Sequence, residues 1–175
     1  MNAIFYVSAV VAVLATALAI TRSNAVHALL YLIVSLLAVA LVLYTLGAPF
    51  VAALEVIIYA GAIMVLFIFV IMMLNLGAQV AEQEREWMRP ATWLGPALLA
   101  LILIGEVIAV LTGADGGAIG EAAAARPVEP KQVGLALFGP YLLGAELASM
   151  LLLAGLMGAS HLGRHGRQQD QKGGA

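Results

Sequence analysis

The sequence predicts an all-α, polytopic membrane protein with five transmembrane helices. Three observations lead there. Of 175 residues, 63% are hydrophobic and only 10% are charged, against about a quarter charged in an ordinary soluble domain. The apolar residues collect in five runs, each near the roughly 20 residues a helix needs to cross a hydrocarbon core about 30 Å thick. Lipid offers no hydrogen-bond partner for open backbone, so runs that span it must be helical.

The runs cover about residues 3–20, 28–46, 51–76, 93–111 and 133–160. In the first, Ala17-Leu18-Ala19 resembles a leader-peptide cleavage site. A missing basic n-region and a long apolar stretch argue for a membrane span instead. Gly47-Ala48-Pro49 between the second and third runs is a tight turn, which makes those spans antiparallel neighbours. Gln79 to Pro90, QVAEQEREWMRP, is a charged loop expected to carry a short surface helix with Trp87 at the membrane interface. Gly113 to Gln132 is rich in Gly, Ala and Pro and reads as a loosely ordered excursion. Residues 1–163 therefore form one membrane domain, followed by a polar, frayed tail over 164–175.

Charge sets the orientation. Five spans place the termini on opposite sides. Arg22, Arg85, Arg89, Arg164, Arg167 and Lys172 fall on one side, and only Arg126 and Lys131 on the other. The positive-inside rule puts the larger set in the cytoplasm, so the N-terminus is expected outside and the C-terminus inside.

Composition also excludes. Cysteine is absent, so there is neither a disulfide framework nor a thiolate metal site. No basic stripe suggests nucleic acid. His161 and His165 are four apart, but they sit at a helix end where cations suit the dipole, and further ligands are lacking. Five spans do not divide into the equal halves of an inverted-repeat transporter. As an isolated catalyst the chain offers no nucleophile–base pair.

The third run carries the chemistry. Leu54 to Asn75 reads LEVIIYAGAIMVLFIFVIMMLN, with Glu55 its one charge. Glu55 and Tyr59 are four apart and share a helical face. Gly61, between Ala60 and Ala62, lowers helix propensity inside the span. Met64, Met72 and Met73 read either as an adaptable surface or as core filler. Two further carboxylates fall inside spans, Glu106 and Glu146. A charge near the bilayer centre costs about 3 kcal/mol, so such groups usually face protein. Glu55 and Glu106 lie roughly 6–8 Å from the outer helix ends at about 1.5 Å per residue, so reaching outer-surface water is the competing reading. Glu146 lies deeper, where a neutral acid bonded to a neighbouring helix competes with a functional role. In the fifth run Gly139, Gly144, Ala148 and Ala154-Gly155 permit close helix approach, expected from another chain.

The run LEVIIYAGAIMVLFIFVIMMLNL resembles the third span of NuoJ-type subunits of proton-pumping NADH:quinone oxidoreductase, respiratory complex I, in its bacterial form. AVHALLYLIVSLLAVALV resembles the family's second span, EQEREWMRP its cytoplasmic loop and LFGPYLLGAELASMLLLAGL its fifth span. The resemblance implies a bacterial inner-membrane protein beside NuoA-, NuoH-, NuoK- and NuoN-type subunits. It implies no cofactor in this chain, with FMN, iron–sulfur clusters and the quinone site in partner subunits. It further implies a π-bulge near Tyr59 to Ala62. Rotation around Met64, Val65, Phe67 and Phe69 would open and close a water path along a coupling route with Glu55, Tyr59, Gly61 and Glu146. One departure stands out: bacterial relatives can carry a carboxylate just after LNLG, where this chain has Ala78, Gln79, Val80 and Ala81. Two other classes stay open, a small homo-oligomeric proton- or cation-linked transporter and a purely structural scaffold.

Overall fold

The structure, a computed structural model, describes residues 3–22, 24–74, 90–113 and 127–172. Side chains are described for these residues apart from 74, 90–92 and 164–172. Every regular element among them is helical. Five helices are long and apolar enough to cross a membrane. Two compact units divide the chain, Met1–Glu129 and Pro130–Ala175.

The first unit begins with α1, Ala3–Thr21, and α2, Ala25–Thr45. The sequence places the second span from residue 28, but its helix starts earlier because Asn24 caps it. The Asn24 Oδ1 accepts from the backbone N–H of Val26 at 2.9 Å and of His27 at 3.4 Å. That satisfies donors which a helix start otherwise leaves open. At the other end Gly47 takes φ 83°, the left-handed conformation that glycine tolerates. Pro49 follows at the first turn of the next helix, where its missing N–H costs nothing.

That next helix, α3, has three stretches. It runs as α-helix over Pro49–Leu54, as π-helix over Glu55–Ile63, and as α-helix again over Met64–Leu74. The third run's expected end at residue 76 lies outside the described residues. So do Trp87 and most of both expected loops.

Helix α4 spans Pro90–Thr112 and again opens on proline. It contains Pro96, whose missing N–H leaves one backbone bond open in its opening turns. The core lies where α1, α2 and α4 meet. Val11, Ala12 and Ala15 pack with Tyr31, Val34 and Ala38, and with Leu99 and Leu103. Alanines at the contact let the backbones approach closely, which drives helix association in lipid. Tyr31 lies against Gly95, where an added Cβ would overlap its hydroxyl. Helix α3 packs on α2 through Ala52, Ala60 and Met64, the buried residues of its inner face.

The second unit corrects the fifth span. The expected helix over 133–160 is two helices, α5 over Pro130–Leu137 and α6 over Leu142–Lys172. Gly139 and Pro140 separate them. A Cβ on Gly139 would come within 2.6 Å of the Leu135 carbonyl oxygen, and Pro140 cannot continue an N–H ladder. The candidate crossing is Leu142–Gly163. The tail expected to fray instead continues as helix to Lys172. Extending a formed helix requires no new nucleus, and Arg and Gln are good helix formers.

Candidate functional site

Helix α3 is built mostly of bulky apolar residues, with the small trio Ala60, Gly61 and Ala62 inside its π-helical stretch. In a π-helix each N–H reaches the carbonyl five residues back, one further than in an α-helix. The transition back occurs at Met64. Its N–H lies between the carbonyls of Tyr59, five residues back, and Gly61, three back. Gly61 sits where a side chain would be crowded. A Cβ there would stand 3.1 Å from the Val56 carbonyl oxygen, tighter than ordinary contact. The YAGA segment, Tyr59 to Ala62, therefore lies wholly inside the π-helix, which begins four residues earlier, at Glu55.

The site residues read from the sequence divide between the two sides of this helix. Met64 is buried against the bundle at 6% exposure. Gly61 and Glu55 are partly buried. Tyr59 is 51% exposed, and Val65, Phe67 and Phe69 are exposed as well. One π turn takes roughly four to five residues, so Glu55 and Tyr59 still share a side of the helix. Glu146, on α6 in the second unit, is exposed. The Ser149 hydroxyl bonds the Glu146 backbone carbonyl at 2.7 Å and leaves its carboxyl uninvolved.

Glu106 behaves differently from the expectation that it reaches outer-surface water. Its side chain turns inward and is 8% exposed. The Ser8 hydroxyl, wholly buried on α1, donates to Glu106 Oε2 at 2.9 Å. A helix-end carboxylate reaches water only if its face of the helix is free. Here α1 covers that face. Glu106 Oε1 is buried, with no hydrogen-bond partner among the described residues.

A second polar contact lies between α1 and α2. Thr16 Oγ1 and Ser35 Oγ are 2.7 Å apart, and lie 2.8 Å and 3.0 Å from the Ala12 carbonyl oxygen. Two hydroxyl protons serve these three contacts, so one hydroxyl donates to Ala12 and the other donates to the first hydroxyl. At the opposite end of α1, the Arg22 guanidinium lies 5.3 Å from the centroid of the Tyr31 ring, within cation–π range. Among the described residues no group of three or more His, Asp or Glu side chains comes together to hold a metal ion.

Sequence reading missed the Ser8 partnership. Ser8 and Glu106 are 98 positions apart, and a lone serine in an apolar run carries no signal of its own. The signal that did exist was the carboxylate in the fourth run.

Comparison with known proteins gives one consistent result. Residues 15–162 match the family described as NADH-ubiquinone/plastoquinone oxidoreductase chain 6. NADH-quinone oxidoreductase subunit J of Pseudomonas aeruginosa is 59% identical over 166 residues, covering 94% of this chain and 98% of the relative. The protein of that name from Escherichia coli is 56% identical over 93% of this chain and 86% of its own. Its counterpart from Buchnera aphidicola of Schizaphis graminum is 46% identical over 94% and 98%.

Proposed function

Since the chain belongs to the NADH-ubiquinone/plastoquinone oxidoreductase chain 6 family, we propose that it couples quinone reduction to proton translocation through a register switch in α3. It is a membrane subunit of NADH-quinone oxidoreductase, an enzyme complex. The oxidation of NADH and the reduction of quinone belong to partner subunits, which hold the FMN, the iron–sulfur clusters and the quinone. This chain supplies the moving element between them and the pumping subunits, as one membrane domain in the bacterial inner membrane.

The observation that supports this reading is the π-helix over Glu55–Ile63 inside an otherwise α-helical span. Such irregularities cluster at functional places, because the two backbone forms differ little in energy. Removing one residue from the π register turns everything after Ile63 by roughly 100°, the rotation per residue at 3.6 residues per turn. Val65, Phe67 and Phe69, exposed on α3, would exchange sides with smaller or wetter surface. Glu55, Tyr59 and Glu146 are the protonatable groups along the water path that this rotation opens. The exposed residues of α3 and α6 are the faces for NuoA-, NuoH-, NuoK- and NuoN-type partners.

Gly61→Val tests the switch. A β-branched side chain at the tightest point of the π-helix has no room beside the Val56 carbonyl. The complex carrying it should assemble, since valine is well tolerated in lipid. Proton pumping driven by NADH should fall at least tenfold. Normal pumping by a fully assembled complex would defeat the proposal, and lost assembly would make Gly61 a packing residue instead.

A further inference from the structure

We propose that Glu106 is a proton-binding site of this chain, with Oε2 held by Ser8 and the proton carried on Oε1. The inference rests on the coupling role argued above, but not on the residues of α3.

Two of the polar contacts of α1 can be compared. One, Thr16 and Ser35 over the Ala12 carbonyl, is neutral, and its hydroxyls are fully supplied with partners. It shows that this bundle joins helices with hydroxyls alone. The Ser8–Glu106 contact instead uses a carboxyl, costlier to bury in a membrane, and leaves one of its oxygens without a partner. An ionised carboxylate buried this way, with a single hydroxyl donor, would be severely under-solvated. A carboxylic acid with its proton on Oε1 keeps the Ser8 bond to Oε2 and carries no charge. What a carboxyl adds over a hydroxyl at such a place is an acidic proton that it can release and take back.

Its position suits exchange with one membrane face. Ser8 is five residues from the start of α1 and Glu106 six from the end of α4. At about 1.5 Å per residue both lie roughly 8–9 Å from the helix ends. Ile4, buried one turn above Ser8, closes the site from that end. Opening α1 by its first turn admits water to Oε1. The O–H bond then breaks, the proton leaves to that water, and Ser8 continues to donate to the resulting carboxylate. Reprotonation reverses the step, and no other bond forms or breaks.

The test uses the assembled complex. Glu106→Gln keeps the shape and a hydrogen-bonding oxygen but removes the ionisable proton. Pumping per NADH oxidised should fall several-fold in it, and Glu106→Asp should restore most of the loss. The redox-induced infrared difference spectrum should contain a carboxylic-acid carbonyl band that Glu106→Gln abolishes. Ser8→Ala should move that band to higher frequency, because the carbonyl loses its donor. A static clamp would move neither pumping nor the difference spectrum, and an unchanged spectrum and pumping ratio in Glu106→Gln overturns the inference. Should Glu106→Gln fail to assemble, Ser8→Ala decides alone: a shifted band supports the site, and an unshifted or absent one overturns it. Gly61→Val in the same assay separates the two claims. Impaired pumping there with normal pumping in Glu106→Gln removes this inference and leaves the α3 switch standing; normal pumping in both removes the coupling role itself.

Discussion

Gly61 and Gly95 lack a side chain for different reasons, and the two make different predictions. At Gly61 the limit is its own helix, through the Val56 carbonyl 3.1 Å from a notional Cβ. At Gly95 the limit is another helix, because the Tyr31 hydroxyl occupies the space. Tyr31 is 3% exposed and cannot swing away freely. Gly95→Ala should therefore push α4 from α2 and destabilise the bundle by about 1–3 kcal/mol, the usual range for overpacking. Thermal unfolding of the detergent-solubilised chain checks this, and Tyr31→Phe combined with Gly95→Ala should recover part of the loss. Tyr59 and Gly61 were legible from the third run alone, since the phenol shares a face with Glu55 and the glycine sits between two alanines. The Tyr31–Gly95 and Ser8–Glu106 contacts were not, because each joins residues far apart in the chain.

The positions of the helices were legible at the scale of elements; their ends and interruptions were not. Hydropathy places a span to within a few residues, but a cap depends on one side chain. Asn24 moved the start of α2 from residue 28 to Ala25. Asn24→Ala should cost about 1 kcal/mol, the usual value for losing a side-chain cap. Asn24→Ser should cost little, and chemical unfolding in detergent compares the two. The fifth span failed for the same reason. Its apolar run passes over Gly139 and Pro140 without a break in hydropathy, yet the chain turns there and starts a new helix at Leu142. For α3 the composition allowed an irregular helix without fixing its form. The structure extends the π-helix back to Glu55, so the carboxylate stands at its first residue.

At the scale of the whole molecule, each of the two units exposes apolar surface that points to partners. Val65, Phe67 and Phe69 on α3 and Leu143, Leu147 and Leu151 on α6 are all exposed. In a complex they meet lipid or other subunits. The proposed orientation, with the C-terminus in the cytoplasm, rests on six basic residues on one side against two on the other. A reporter fused after Arg167 should behave as cytoplasmic, and periplasmic reporter activity there would reverse the orientation. The central claim is that α3 changes register during turnover. The most direct measurement is the structure of the assembled complex at rest and under steady NADH oxidation. The account predicts a π-helix over Glu55–Ile63 in one state and continuous α-helix in the other, with Val65, Phe67 and Phe69 turned by roughly 100° between them. One and the same backbone from Glu55 to Phe69 in both states, in a complex that pumps at full rate, would contradict it.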